Sequence, residues 1–133
     1  MQKFTPFLMF SGQAEEAMNF YASVFPQAKI EHIIRYEAGQ SGTEGSVMRA
    51  VFSLDGQEYM CIDSNVKHEF TFTPSFSIFV QCETEAEIDR VCARLFDGGA
   101  FFMPLGNYGF SEKFVWGADK YGVSWQLNLE HNR

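Results

Sequence analysis

The sequence predicts an α+β fold: two βαβββ modules forming curved mixed sheets with helices on the convex side. Three observations carry this. Residues 13–25 and 85–97 each place apolar side chains at spacings of three and four, the stripe of a helix with one buried face. Each stretch follows a short apolar run and precedes three segments that read as strands. Asp55-Gly56 joins two of those segments, the strongest short-range hairpin signal a sequence offers. The 133 residues read as a single domain, with module one at about 1–65, a linker at about 64–73 and module two at about 74–133.

The elements follow in order. Phe4 to Phe10 is an apolar run ending at Ser11-Gly12, with Ser11 available as a helix cap. The first helix puts Ala14, Ala17, Met18, Tyr21 and Val24 or Phe25 on one stripe and stops at Pro26. Lys29–Glu37 is a strand, and the Gly- and Ser-rich 38–45 is a loop. Ser46–Leu54 and Gln57–Asp63 form the hairpin, and 64–73 links the halves. The order then repeats with Pro74–Gln81 as a strand. Thr84 caps the second helix, with Glu87 closing a capping box, and Ile88, Val91, Cys92 and Leu95 share its apolar face. Gly98-Gly99 ends that helix. Ala100–Met103 is a short strand before Pro104, and Ser111–Ala118 and Val123–Leu129 flank the turn Asp119-Lys120-Tyr121-Gly122.

Composition excludes several function classes. The chain is 46% hydrophobic and contains fifteen Phe, too apolar for a disordered segment, yet its apolar runs are too short to span a bilayer. A formal net charge of −7 repels phosphate backbones and anionic lipid headgroups, so neither nucleic acid nor membrane is an expected partner. Cys61, Cys82 and Cys92 are odd in number and lack CxxC spacing, which reads as reduced thiols. The first residues lack an apolar signal core. A cytoplasmic location is expected.

Strand alternation locates a candidate site. In the last strand Val123, Trp125, Leu127 and Leu129 fall on one face and Ser124, Gln126, Asn128 and Glu130 on the other. In the strand after Pro74, Phe76, Ile78 and Val80 oppose Ser75, Ser77 and Phe79; in Gln57–Asp63, Met60 and Ile62 oppose Tyr59, Cys61 and Asp63. The apolar faces are expected to meet the helices. The mixed faces are then either solvent-exposed or lining for a small organic molecule. Trp125 is expected in the core and Trp116 at the site. Arg49 either reaches solvent or pairs with a carboxylate such as Asp63. His32, His68 and His131 lie far apart and match no metal-binding pattern.

Phe4-Thr5-Pro6-Phe7-Leu8, Gln13-Ala14-Glu15-Glu16-Ala17-Met18-Asn19-Phe20-Tyr21, Gly98-Gly99, Pro104-Leu105 and Trp116 with Asp119-Lys120-Tyr121-Gly122-Val123-Ser124-Trp125-Gln126-Leu127 resemble the PhnB-like family. So do Val80-Gln81-Cys82-Glu83 and Glu87-Ile88-Asp89. The family falls within the vicinal oxygen chelate superfamily, the glyoxalase/bleomycin-resistance fold, and often carries the label 3-demethylubiquinone-9 3-methyltransferase. Active superfamily members hold a divalent metal through His, Gln or Glu from the first and last strands of each module. By resemblance those positions fall on Pro6, near Ser75, on Gln126 and near Cys61 or Asp63, a set with one credible donor. The sequence therefore leads to no bound metal and no cofactor, with Phe10, Cys61, Ser75, Ser77, Trp116, Ser124 and Gln126 lining a binding surface. A metal-dependent lyase, isomerase or dioxygenase is the alternative, and a structural or regulatory dimeric module a second one. The resemblance also implies a homodimer.

Overall fold

A computed structural model describes residues 2–131. The chain divides into two compact units, Met1–Glu69 and Phe70–Arg133. Each unit is described by itself.

In the first unit, β1 (Phe7–Phe10), α1 (Ala14–Val24), β2 (Ala28–Arg35), β3 (Val47–Leu54) and β4 (Gln57–Asp63) build one four-stranded sheet in the order β1-β4-β3-β2. β1 runs parallel to β4, and the other two pairings are antiparallel. Ala14, Ala17, Met18, Tyr21 and Val24 of α1 are buried, the stripe the spacing predicts. Asp55 and Gly56 both take positive φ, as a tight hairpin turn requires.

Two details differ from expectation. Ser11 does not cap α1: Gln13 holds the cap position without a side-chain bond. Asp63 supplies the missing acceptor from β4. Its Oδ1 accepts from the Gly12 and Ala14 amides, both at 2.9 Å, and its Oδ2 accepts from the Val47 amide at 2.9 Å. Second, the expected assignment of faces in β4 is reversed. Tyr59, Cys61 and Asp63 are the buried set, while Met60 and Ile62 are half-buried on the opposite side. Rings explain the reversal, because Tyr21 of α1 packs on Phe52 at 5.9 Å and Phe52 stacks on Tyr59 at 5.2 Å. Aromatic packing and the buried carboxylate outweigh a simple reading of apolar character.

In the second unit, β5 (Ile78–Cys82), α2 (Glu85–Leu95), β6 (Ala100–Gly106), β7 (Lys113–Ala118) and β8 (Ser124–Leu129) form a sheet in the order β5-β8-β7-β6. β5 and β8 are parallel. Thr84 caps α2 through its hydroxyl, which accepts from the Glu87 amide, and the Glu87 carboxylate accepts from the Glu83 amide. Lys113 Nζ lies 2.8 Å from Glu85 and from Asp89, tying β7 to α2. Ile88, Val91, Cys92 and Leu95 are buried, as are Val115, Trp125 and Leu127.

β5 starts later than Pro74 because the Phe76 amide turns back to the Thr73 carbonyl. β6 runs through Pro104 rather than stopping before it. That is possible because β6 is an edge strand, and its register with β7 shifts between Met103 and Gly106, so no ladder donor is needed there. Among the described residues no helix is long and apolar enough to cross a membrane.

Candidate functional site

In the second unit, the sheet face turned away from α2 carries a regular grid. Register places Phe79 of β5 beside Gln126 of β8, and Gln126 beside Trp116 of β7. One row along, Gln81 neighbours Asn128, which neighbours Phe114. On the other side Ser77 meets Ser124, whose partner on β7 is Ala118. None of these nine side chains is ionisable.

Polar contacts cross the grid. Trp116 Nε1 donates to Ser124 Oγ at 2.9 Å, and the Ser124 and Ser77 hydroxyls lie 2.6 Å apart. Asn128 Nδ2 donates to Gln81 Oε1 at 3.0 Å. Aromatic rings frame these groups. Phe102 packs on Trp116 with centroids 5.0 Å apart, and Phe79 is 56% exposed, an unusual cost for a large apolar ring on a sheet face. Phe114 meets the edges of Tyr108 and Phe110.

Of the seven residues singled out from sequence, four therefore come together: Ser77, Trp116, Ser124 and Gln126. Ser75 does not join them. It precedes β5, is exposed, and its hydroxyl lies 2.9 Å from that of Thr73. Phe10 and Cys61 lie in the first unit, and both are buried on the side of its sheet that carries Tyr59 and Asp63. They are walls of a core, because the reversed assignment of faces in β4 carries Cys61 inward. Burial, with the Asp63 carboxylate nearby, pushes the Cys61 thiol up to about 12, which removes it as a nucleophile near neutral pH. Cys82 is likewise pushed up to about 12, chiefly by burial.

The grid also contains residues that sequence reasoning missed. Gln81 and Phe114 follow from alternation once the register is known, whereas Asn128 already shares the polar parity of the last strand. Phe102 does not follow in this way, because the register shift between Phe101 and Met103 breaks the alternation of β6.

The open face of the first unit is chemically different. Arg49 and Glu58 both lie on it by register, opposite in sense to Cys61. Arg49 is exposed, and it does not reach Asp63, whose two oxygens are committed to backbone amides on the other face. Glu58 Oε1 is buried and has no hydrogen-bond partner among the described residues.

A divalent metal does not fit the positions the superfamily resemblance points to. Pro6 has no donor side chain and shares the parity of the buried Leu8 and Phe10. Asp63 is saturated by amides, Cys61 is held neutral in the core, and Gln126 stands between Phe79 and Trp116. The structural counterpart of Gln126 in the first unit is Met60, since Phe7 pairs with Met60 as Phe79 pairs with Gln126. His68 lies 3.0 Å from the Ser64 hydroxyl, and His131 pairs with Glu112. Among the described residues no three His, Cys, Asp or Glu side chains converge on one point.

Comparison with known proteins places this geometry. A family model described as 3-demethylubiquinone-9 3-methyltransferase matches residues 2–128. A Bacillus cereus structure, described as a 3-demethylubiquinone-9 3-methyltransferase and PhnB protein, is 61% identical with a TM-score of 0.94, over 96% of this chain and 99% of that one. Protein PA1353 from Pseudomonas aeruginosa is 23% identical with a TM-score of 0.84, over 98% of both chains. A glyoxylase/bleomycin resistance protein/dioxygenase domain from Frankia shares the fold at 12% identity, with a TM-score of 0.68 over 99% of this chain and 94% of that one. No curated protein sequence matches the chain.

Proposed function

Because the chain belongs to the PhnB-like 3-demethylubiquinone-9 3-methyltransferase family of the vicinal oxygen chelate superfamily, we propose that it binds a small, partly aromatic organic molecule on the uncharged open face of its second unit. The observation that carries this reading is the joining of Trp116, Ser124, Ser77 and Gln126 into one polar centre bordered by Phe79 and Phe102. Flat aromatic walls with a few fixed polar groups are the usual make-up of a small-molecule site.

Methyl transfer is not carried over from the family's name. The usual methyl-donor fold is a doubly wound parallel sheet with a Gly-rich turn after its first strand. Here each sheet holds one parallel pair, and Ser11-Gly12 leads directly towards α1.

The test is a titration of labelled protein with a fragment library, followed by amide and indole NMR signals. Trp116 Nε1–H and the Gln126 side-chain amide are expected to shift. The Trp125 indole, which donates to Asp119 at 2.9 Å within the core, serves as the internal control. Fragments that move only signals elsewhere overturn the reading.

The proposed setting is cytoplasmic, supported by three buried free thiols. A homodimer is proposed with it, supported by the exposed Phe76 and Phe110 outside the grid. Sedimentation at micromolar concentration is expected to give twice the chain mass; a clean monomer removes that part.

A further inference from the structure

We propose that Ser77 is the terminal donor of a directed hydrogen-bond relay, Trp116 Nε1–H to Ser124 O–H to Ser77 O–H, and that the site selects an uncharged aromatic molecule bearing an acceptor oxygen of the carbonyl type. This rests on the binding reading above and specifies its ligand.

The direction follows from counting hydrogens. An indole N–H only donates, so Ser124 Oγ must be the acceptor of the 2.9 Å contact. Ser124 is 2% exposed, and its own hydrogen needs an acceptor. The only acceptor in contact with it among the described residues is Ser77 Oγ, at 2.6 Å. If Ser77 donated instead, the Ser124 hydrogen would be buried without a partner, a loss the observed arrangement avoids. Ser124 therefore donates, and the Ser77 hydrogen is left without an acceptor among the described residues. Ser77 is half-buried at the margin of the grid, so that hydrogen is available to a guest. Each bond in the series polarises the next, which makes Ser77 a better donor than a lone serine.

The surroundings define the rest of the guest. The nine grid positions carry no charge, so an ionic ligand would lose water without gaining a counter-charge. Phe79 of β5 lies two residues on from Ser77, giving a ring beside the donor. An aromatic carbonyl meets both conditions. An aromatic ammonium keeps the ring but brings a charge without a counter-charge and a second donor, which a donor relay repels.

The experiment uses acetophenone, ethylbenzene and benzylamine as probes, titrated into the full-length protein and into S77A and S77T, with the Trp116 indole signal as readout. Wild type is expected to bind acetophenone about threefold to tenfold more tightly than ethylbenzene, the range of one net hydrogen bond, and benzylamine most weakly. S77A is expected to erase the preference while still binding both neutral probes, and S77T to keep it. If both neutral probes bind wild type equally, or S77A keeps the preference, the relay is overturned while the binding reading stands. If no probe moves the Trp116 signal, both fall. An unchanged spectrum of S77A outside the grid, Trp125 included, shows that the variant is folded.

Discussion

Asp63→Ala is expected to destabilise the chain by about 3–5 kcal/mol, enough to unfold a typical domain or leave it marginal. The carboxylate is 3% exposed and accepts three backbone N–H groups, from Gly12, Ala14 and Val47. Hydrogen bonds to a charged acceptor contribute about 1.5–3 kcal/mol each, and a buried amide left without one loses its desolvation cost outright. The three amides belong to the turn before α1, the first turn of α1 and the start of β3. One side chain therefore joins three parts of the first unit. No local device substitutes, because Gln13 makes no side-chain cap. Asp63→Asn retains the size and one acceptor oxygen but turns an amide hydrogen towards an N–H donor, and about half the loss is expected. Urea unfolding of the three proteins measures both. A loss under 1 kcal/mol for the alanine variant would show that α1 is held by its apolar stripe alone.

Asp119→Ala is expected to cost about 3 kcal/mol or more and to disturb the second unit's core spectroscopically. Asp119 Oδ1 accepts from the Tyr121 and Val123 amides, and Oδ2 accepts from Trp125 Nε1 at 2.9 Å. The same residue thus closes the turn between β7 and β8 and satisfies the polar atom of a fully buried indole. Trp125 is flanked by Ile78 through the parallel β5–β8 pairing, so a shift of this ring reaches the residue that follows Ser77. Thermal unfolding and the near-ultraviolet dichroism of Trp125 check the two consequences. The double variant with Trp125→Phe is expected to be less damaging than the sum of the single ones, because it removes the donor that the first leaves stranded. Simple additivity would mean the indole bond contributes nothing.

Legibility differed by element. The apolar stripes of both helices were readable to the residue, since a 3.6-residue period survives any tertiary arrangement. The Asp55-Gly56 hairpin was readable because positive φ at both positions is a local matter. Ser77, Ser124 and Gln126 were placed on the open face by alternation, and Trp116 by its amphipathic ring. Phe10, Cys61 and Ser75 misled for separate reasons: β4 turns its polar and aromatic side inward, and the chain before β5 is a turn where a strand was expected.

By itself, then, the amino-acid order determined the helices, the main hairpin, the βαβββ succession in each half and the polar parity of β8, all of which follow from near-neighbour periodicity and turn chemistry. Only the tertiary structure decided which face of β4 is buried, that Asp63 serves as the distant cap of α1, and that Ser77 stands beside Ser124. The last two depend on pairings between residues 16 to 51 positions apart, and the first on the packing of Tyr21, Phe52 and Tyr59. Register has no signature in a local window, because a strand's alternation is the same whichever partner it meets.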